Sequence, residues 1–212
     1  MMNKKYLTEF FGTAALLSVI TGSGLMGQAL SSGNDAVTLL GNSIATGAGL
    51  YVLIMILGPI SGAHLNPLVS VMAFTQKQLK RKDLVPYIAS QISGAISGVW
   101  MTHLMFNLPI IQTSTKIRTG MSIWVSEVIA TLILLTVIYL GLKYAKKHIA
   151  MLVALTVTAG YWFTSSTFFC NPAVTFARSL TDTFVGIAPQ NILGFVIPQV
   201  IALILMLQII KK

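Results

Sequence analysis

Long apolar runs separated by short polar joints dominate the chain. Predominantly apolar stretches recur near 6–30, 35–58, 84–108, 121–143, 149–167 and 188–210, and about 20 such residues suffice to cross a hydrocarbon core of about 30 Å. The pattern predicts six membrane-spanning helices in one domain, 1–212. Two segments interrupt it. "HLNPLVSVMAF" (64–74) and "FCNPAVTFARS" (169–179) each set Asn-Pro ahead of an apolar stretch that, at about 10 residues, is too short to span. Asn is a favoured helix N-cap and Pro a favoured first helical residue, so each segment fits a half-helix that begins near the bilayer midplane.

The two halves echo each other. "LTEFFGTAALL" (7–17) carries Glu9 and "VSEVIATLILL" (125–135) carries Glu127, each ahead of an Asn-Pro segment. Halves of about 1–108 and 119–212 hold three spans each, so the second enters the membrane from the opposite side, an inverted-topology repeat. The expected fold is therefore an all-α membrane protein with six transmembrane helices and two re-entrant half-helices. Two helix N-termini then meet at the centre, each carrying about half a positive charge. With its oxygen capping its own helix, each Asn side chain leaves its NH₂ group free to face a cavity. Glu9 and Glu127 admit two readings inside the membrane: acceptors for the re-entrant loop backbones, or a proton relay.

Composition excludes a soluble domain: 55% of residues are hydrophobic and 9% charged, against roughly 25% charged in soluble proteins, and the mean hydropathy is +0.80. The net charge of +9 could suggest a nucleic-acid partner, but its distribution argues against one. Lys4 and Lys5, then Lys77, Lys80, Arg81 and Lys82, then Lys143, Lys146 and Lys147, and finally Lys211 and Lys212 all fall on one side of six spans. Only Lys116, Arg118 and Arg178 fall on the other. The positive-inside rule then puts both termini in the cytoplasm, and the first run reads as a retained helix rather than a cleaved leader. Cys170 is the single cysteine, His64, His103 and His148 are scattered, and no phosphate loop or nucleophile elbow is present. Enzyme chemistry, a cofactor and a metal site find no support.

"SGAHLNP" (61–67), "NPA" (171–173), the two glutamates and "QISGAISG" (91–98) together resemble the aquaporin and aquaglyceroporin, or major intrinsic protein, family along nearly the whole chain. The resemblance implies one pore per subunit, a homotetramer in the cell (inner) membrane, and passive conduction of water or small uncharged solutes such as glycerol-like polyols. Its pore motifs fall on Asn66, Pro67 and Leu68 and on Asn171, Pro172 and Ala173, with Leu68 where the family usually has Ala. The selectivity filter carries over to Thr46, Tyr161, Phe168 and Val174, with Ala159 the competitor for the position of Tyr161. Val174 stands where the family's filter arginine is usual. The stretch 161–187 is similar to a bacterial branch with Val there, some of whose members are associated with neutral arsenite. Such a filter, without fixed charge, suits bulkier uncharged solutes.

Several residues stay open between roles. Arg178, one turn after Val174, either lines the outer vestibule or pairs with Asp182. His64 either hydrogen-bonds the loop that carries it or acts as a pH gate. Cys170 is a packing residue or a thiol reachable through the pore. Gln91, Gly94 and Gly98 fit close helix packing, and Tyr161, Trp162 and Phe163 equally suit an interfacial aromatic belt. Two rivals share the inverted-repeat fold: a proton-coupled secondary transporter using Glu9 or Glu127, and an ion or small-anion channel.

Overall fold

A computed structural model describes residues 3–211, so Lys212 of the last basic cluster lies outside it. Among the described residues eight α-helices follow one another: α1 (Lys4–Leu30), α2 (Asp35–Ser61), α3 (Pro67–Thr75), α4 (Arg81–Met105), α5 (Met121–Tyr144), α6 (Ile149–Phe163), α7 (Pro172–Ala177) and α8 (Ile192–Ile210). Among the described residues there is no strand. Four helices, α1, α2, α5 and α8 (with the short turn before it), are long and apolar enough to cross a membrane unaided. The other two expected spans fall short for separate reasons. α4 is 25 residues long but buries Asp83, Gln91, Thr102 and His103 against its neighbours. α6 is only 15 residues, because the chain turns back toward the midplane sooner than the apolar run suggested. Thr164 is extended, and Thr167, Phe168 and Cys170 take positive φ values. α2 runs past its expected end through Pro59 and closes on Gly62 (φ 92°), whose N–H returns to the Gly58 carbonyl, the left-handed cap that glycine supplies most easily.

The helices pack as two equivalent sets, α1 with α4 and α5 with α8, while α2 and α6 meet each other across the middle. Close approach needs small residues where lipid offers no hydrophobic drive between helices. A Cβ on Gly94 would lie 2.2 Å from the Phe10 carbonyl oxygen and one on Gly98 2.2 Å from that of Ala14. The Gly94/Gly98 pair therefore meets α1, and Ser18 Oγ adds a hydrogen bond to the Gly98 carbonyl at 3.0 Å. Outward faces are apolar: Leu40, Ile44, Ile56, Leu104, Ile129 and Leu155 are all exposed, which suits a lipid solvent.

Gly98→Leu is expected to force α1 and α4 apart, since the blocking atom is backbone and cannot turn aside; overpacking of this kind costs on the order of 1–3 kcal/mol or more. Its thermal unfolding midpoint in detergent should fall clearly. Gly41→Ala, where a Cβ meets nothing within 4 Å, should leave the midpoint unchanged or raise it. Equal midpoints for Gly98→Leu and the parent protein would show that this contact is not tight.

Candidate pore

The two half-helices approach head to head. α3 begins at Pro67 with Asn66 as its N-cap, Oδ1 accepting from the Leu68 N–H at 2.9 Å. α7 begins at Pro172 with Asn171 as its N-cap, Oδ1 accepting from the N–H groups of Ala173 (3.0 Å) and Val174 (3.4 Å). The amide groups are not wholly free, as capping alone suggested. Asn66 Nδ2 donates to the Cys170 carbonyl and Asn171 Nδ2 to the Leu65 carbonyl, both at 2.8 Å. Each Nδ2 carries two hydrogens, so one ties the opposite loop and one is left to the cavity that both residues line.

Leu65 (φ 49°) and Cys170 (φ 50°) sit in the left-handed region, which costs an L-residue roughly 1–2 kcal/mol. Both of their backbone groups are tied down. The Leu65 N–H donates to Glu9 Oε2 (2.7 Å) and the His64 N–H to Glu9 Oε1 (3.0 Å). The Cys170 N–H donates to Glu127 Oε2 (3.0 Å) and the Phe169 N–H to Glu127 Oε1 (3.1 Å). Both glutamates thus sit as acceptors for the loop amides, one of the two arrangements open to them.

A glutamine completes each set, and sequence reasoning missed this role. Gln91 Nε2 donates to Glu9 (2.8 Å) and to Ser70 Oγ (2.9 Å), so it is a hydrogen-bonding residue rather than a packing one. Gln199 Nε2 donates to Glu127 (2.7 Å) and to Thr175 Oγ1 (3.1 Å) in the same manner. Ser70 and Thr175 in turn donate to the carbonyls of Asn66 and Asn171. Part of the signal was available: Ser70 and Thr175 each stand four residues after their Asn, and each half carries a Gln within its last span, Gln91 alone in the first and Gln199 among three in the second. His64 Nδ1 lies 3.0 Å from Ser70 Oγ. The ring thus joins the same network, with Ser70 Oγ shared between His64 and the Asn66 carbonyl.

One cavity of about 750 Å³ borders both Asn side chains. Lys5, Lys146 and Lys147 line one end, and Thr46, Tyr161, Phe168, Val174 and Arg178 line the other. Thr46 Oγ1 and Tyr161 OH are 3.2 Å apart. The Phe168 ring lies on Gly160, where a Cβ would come within 2.3 Å of it. Ala159 is exposed on the opposite side of α6, so Tyr161, and not its competitor, borders this end. Trp162 and Phe163 point outward and are about half exposed. Arg178 does not pair with Asp182. Its Nε donates to the Val185 carbonyl, its guanidinium lies 3.7 Å from the centre of the Phe169 ring, and Asp182 accepts from Thr115 N–H at 2.8 Å instead. Leu68 packs with Met72 and Leu135 and does not border the cavity.

Glu127→Gln should be markedly destabilising. It turns one of the two acceptor oxygens into a donor facing N–H groups, and each orphaned buried donor costs about 1–3 kcal/mol. The expected readout is a lowered unfolding midpoint in detergent, matched by Glu9→Gln; wild-type midpoints in both variants would contradict the role given to these carboxylates.

Comparison with known proteins agrees with this architecture. The major intrinsic protein family model matches residues 1–180. The chain is 43% identical over 210 residues to an aquaglyceroporin, AqpS, of Rhizobium meliloti, covering 99% of this chain and 90% of the relative. It is 28% identical over 210 residues to aquaporin AqpM of Methanothermobacter marburgensis, covering 85% and 84% of the two chains. The X-ray structure of the aquaglyceroporin from Plasmodium falciparum superposes with a TM-score of 0.74 at 19% identity, over 96% of this chain and 93% of that one, a likeness of fold. With a family model across most of its length and a relative matched end to end, the chain belongs to the major intrinsic protein family.

Proposed function

We propose that the protein is a passive transmembrane channel for water and glycerol-like uncharged solutes. The observation that carries this reading is the single cavity running from Lys5, Lys146 and Lys147 past both capping asparagines to Thr46, Tyr161, Phe168 and Val174. A solute oxygen at the midplane accepts from the remaining Nδ2 hydrogens of Asn66 and Asn171. The positive ends of α3 and α7 reinforce that orientation and oppose cations and protons.

At the outer end the filter is formed by Thr46 and Tyr161 hydroxyls on one side and the apolar Phe168 and Val174 on the other. A valine at this point leaves a wider and less polar passage than an arginine does, which favours a carbon-backed polyol over a lone water. Arg178 sits one turn further out as a vestibule residue, while His64 and Cys170 serve loop geometry. The apolar outward faces suit side-by-side packing of subunits into a homotetramer. The lysine-rich end of the cavity is assigned to the cytoplasm, with both termini there, and the membrane to the cell (inner) membrane. A proton-coupled transporter finds less support, because each glutamate spends both oxygens on loop amides and so has little scope to carry a proton.

Val174→Arg narrows the filter and adds a further cation near Arg178. In proteoliposomes under osmotic shock, glycerol entry should fall by about tenfold or more, equivalent to roughly 1.4 kcal/mol of added barrier, with water affected less. A variant that keeps full glycerol flux would remove Val174 from the filter.

A further inference from the structure

The outer end of the cavity holds a cation with no carboxylate in direct contact among the described residues. Arg178 is 3% exposed, and the only hydrogen bond its guanidinium makes to the described residues runs from Nε to the Val185 carbonyl. Nη1 and Nη2 carry four N–H donors between them, and the side chain borders the cavity. Neither of the two nearest acids along the chain and in the fold pairs with it directly. Asp182 accepts from the N–H and Oγ1 of Thr115, and Glu127 from Phe169, Cys170 and Gln199. A second guanidinium stands close by: Arg118 lies 5.2 Å from the centre of the same Phe169 ring, and its own N–H groups go to Thr167 and Ser166. Burying an unpaired charge costs several kcal/mol unless something supplies acceptors.

The rest of the cavity has the same sign. Among the described residues that line it are Lys5, Lys146, Lys147 and Arg178, and neither Asp nor Glu. Thr46 Oγ1 and Tyr161 OH, 3.2 Å apart, use one hydroxyl hydrogen between them, which leaves the other to a ligand. A flat fork of donors and a hydroxyl donor that border the same cavity suit a ligand that is small, planar and rich in acceptors. Resting on the channel reading above, we propose that the outer end of the pore is a binding site for a small monocarboxylate anion. Arg178 Nη1 and Nη2 hold its two oxygens in the parallel geometry guanidinium and carboxylate share, the Thr46–Tyr161 pair adds one hydroxyl hydrogen bond, and the bound anion obstructs solute passage.

Formate is the probe. Glycerol flux into proteoliposomes is followed by light scattering with sodium formate equal on both sides, against sodium chloride at the same ionic strength. In the wild type the flux should fall saturably with formate, by about half when formate equals its dissociation constant. The ratio of fluxes with and without formate should return to about one in Arg178→Gln, and Thr46→Val, which keeps the cation, should need more formate for the same effect. Formate should also raise the detergent unfolding midpoint of the wild type and not that of Arg178→Gln. A wild-type glycerol flux well above empty liposomes but indifferent to formate overturns the anion site and leaves the channel standing, as does undiminished inhibition in Arg178→Gln. No glycerol flux at any formate concentration, including none, overturns the channel reading itself.

Discussion

Glu9 and Glu127 each turn both carboxylate oxygens toward amide hydrogens that hydrocarbon cannot satisfy. Irregular backbone at membrane depth survives only where protein or a water path supplies its partners. Here a carboxylate buried among helices does so, once in each half. The loops it holds carry left-handed residues at Leu65 and Cys170, whose carbonyls are then presented to Asn171 and Asn66 of the opposite half. Each loop is thus clamped from behind by its own half and from the front by the other. The half-helix starts, the cavity between them and the donors facing it all follow from that clamp.

Electrostatics along the path separates two jobs. The midplane provides fixed donors from Asn66 and Asn171 with positive helix ends behind them, a setting that orients a neutral oxygen and repels cations. In the proposed channel, the end that carries the filter residues decides what reaches it. There the apolar Val174 and Phe168 face the hydroxyls of Thr46 and Tyr161, and the nearest guanidinium is held one turn away by Phe169 and the Val185 carbonyl. In the proposed filter, moving a cation by a turn changes both the width of the passage and the place at which charge is felt.

Much of this was legible in the chain because half-length apolar segments behind Asn-Pro have few other uses in a membrane. The paired Asn-Pro motifs and early glutamates gave the half-helices and their inverted arrangement. The partner of Gly94 and Gly98 was not legible, since a small-residue pair says that something comes close without saying what; it is α1. Gln91 was read as packing because its hydrogen bonds reach 82 positions away to Glu9, and Gln199 drew no reading for the same reason. The fate of Arg178 was hidden too. An i,i+4 acid looks like a natural partner in sequence, but the helical turn ends at Leu180 and carries Asp182 toward Thr115.

Uncoupled conduction of a neutral solute is the property on which the proposed pore depends. The direct measurement is the glycerol reswelling rate of proteoliposomes over a wide concentration range, with and without an imposed proton gradient. The account predicts a rate well above empty liposomes that rises in proportion to the glycerol gradient and ignores the proton gradient. A rate that saturates at low glycerol and follows the proton gradient, or one no faster than empty liposomes, would contradict it.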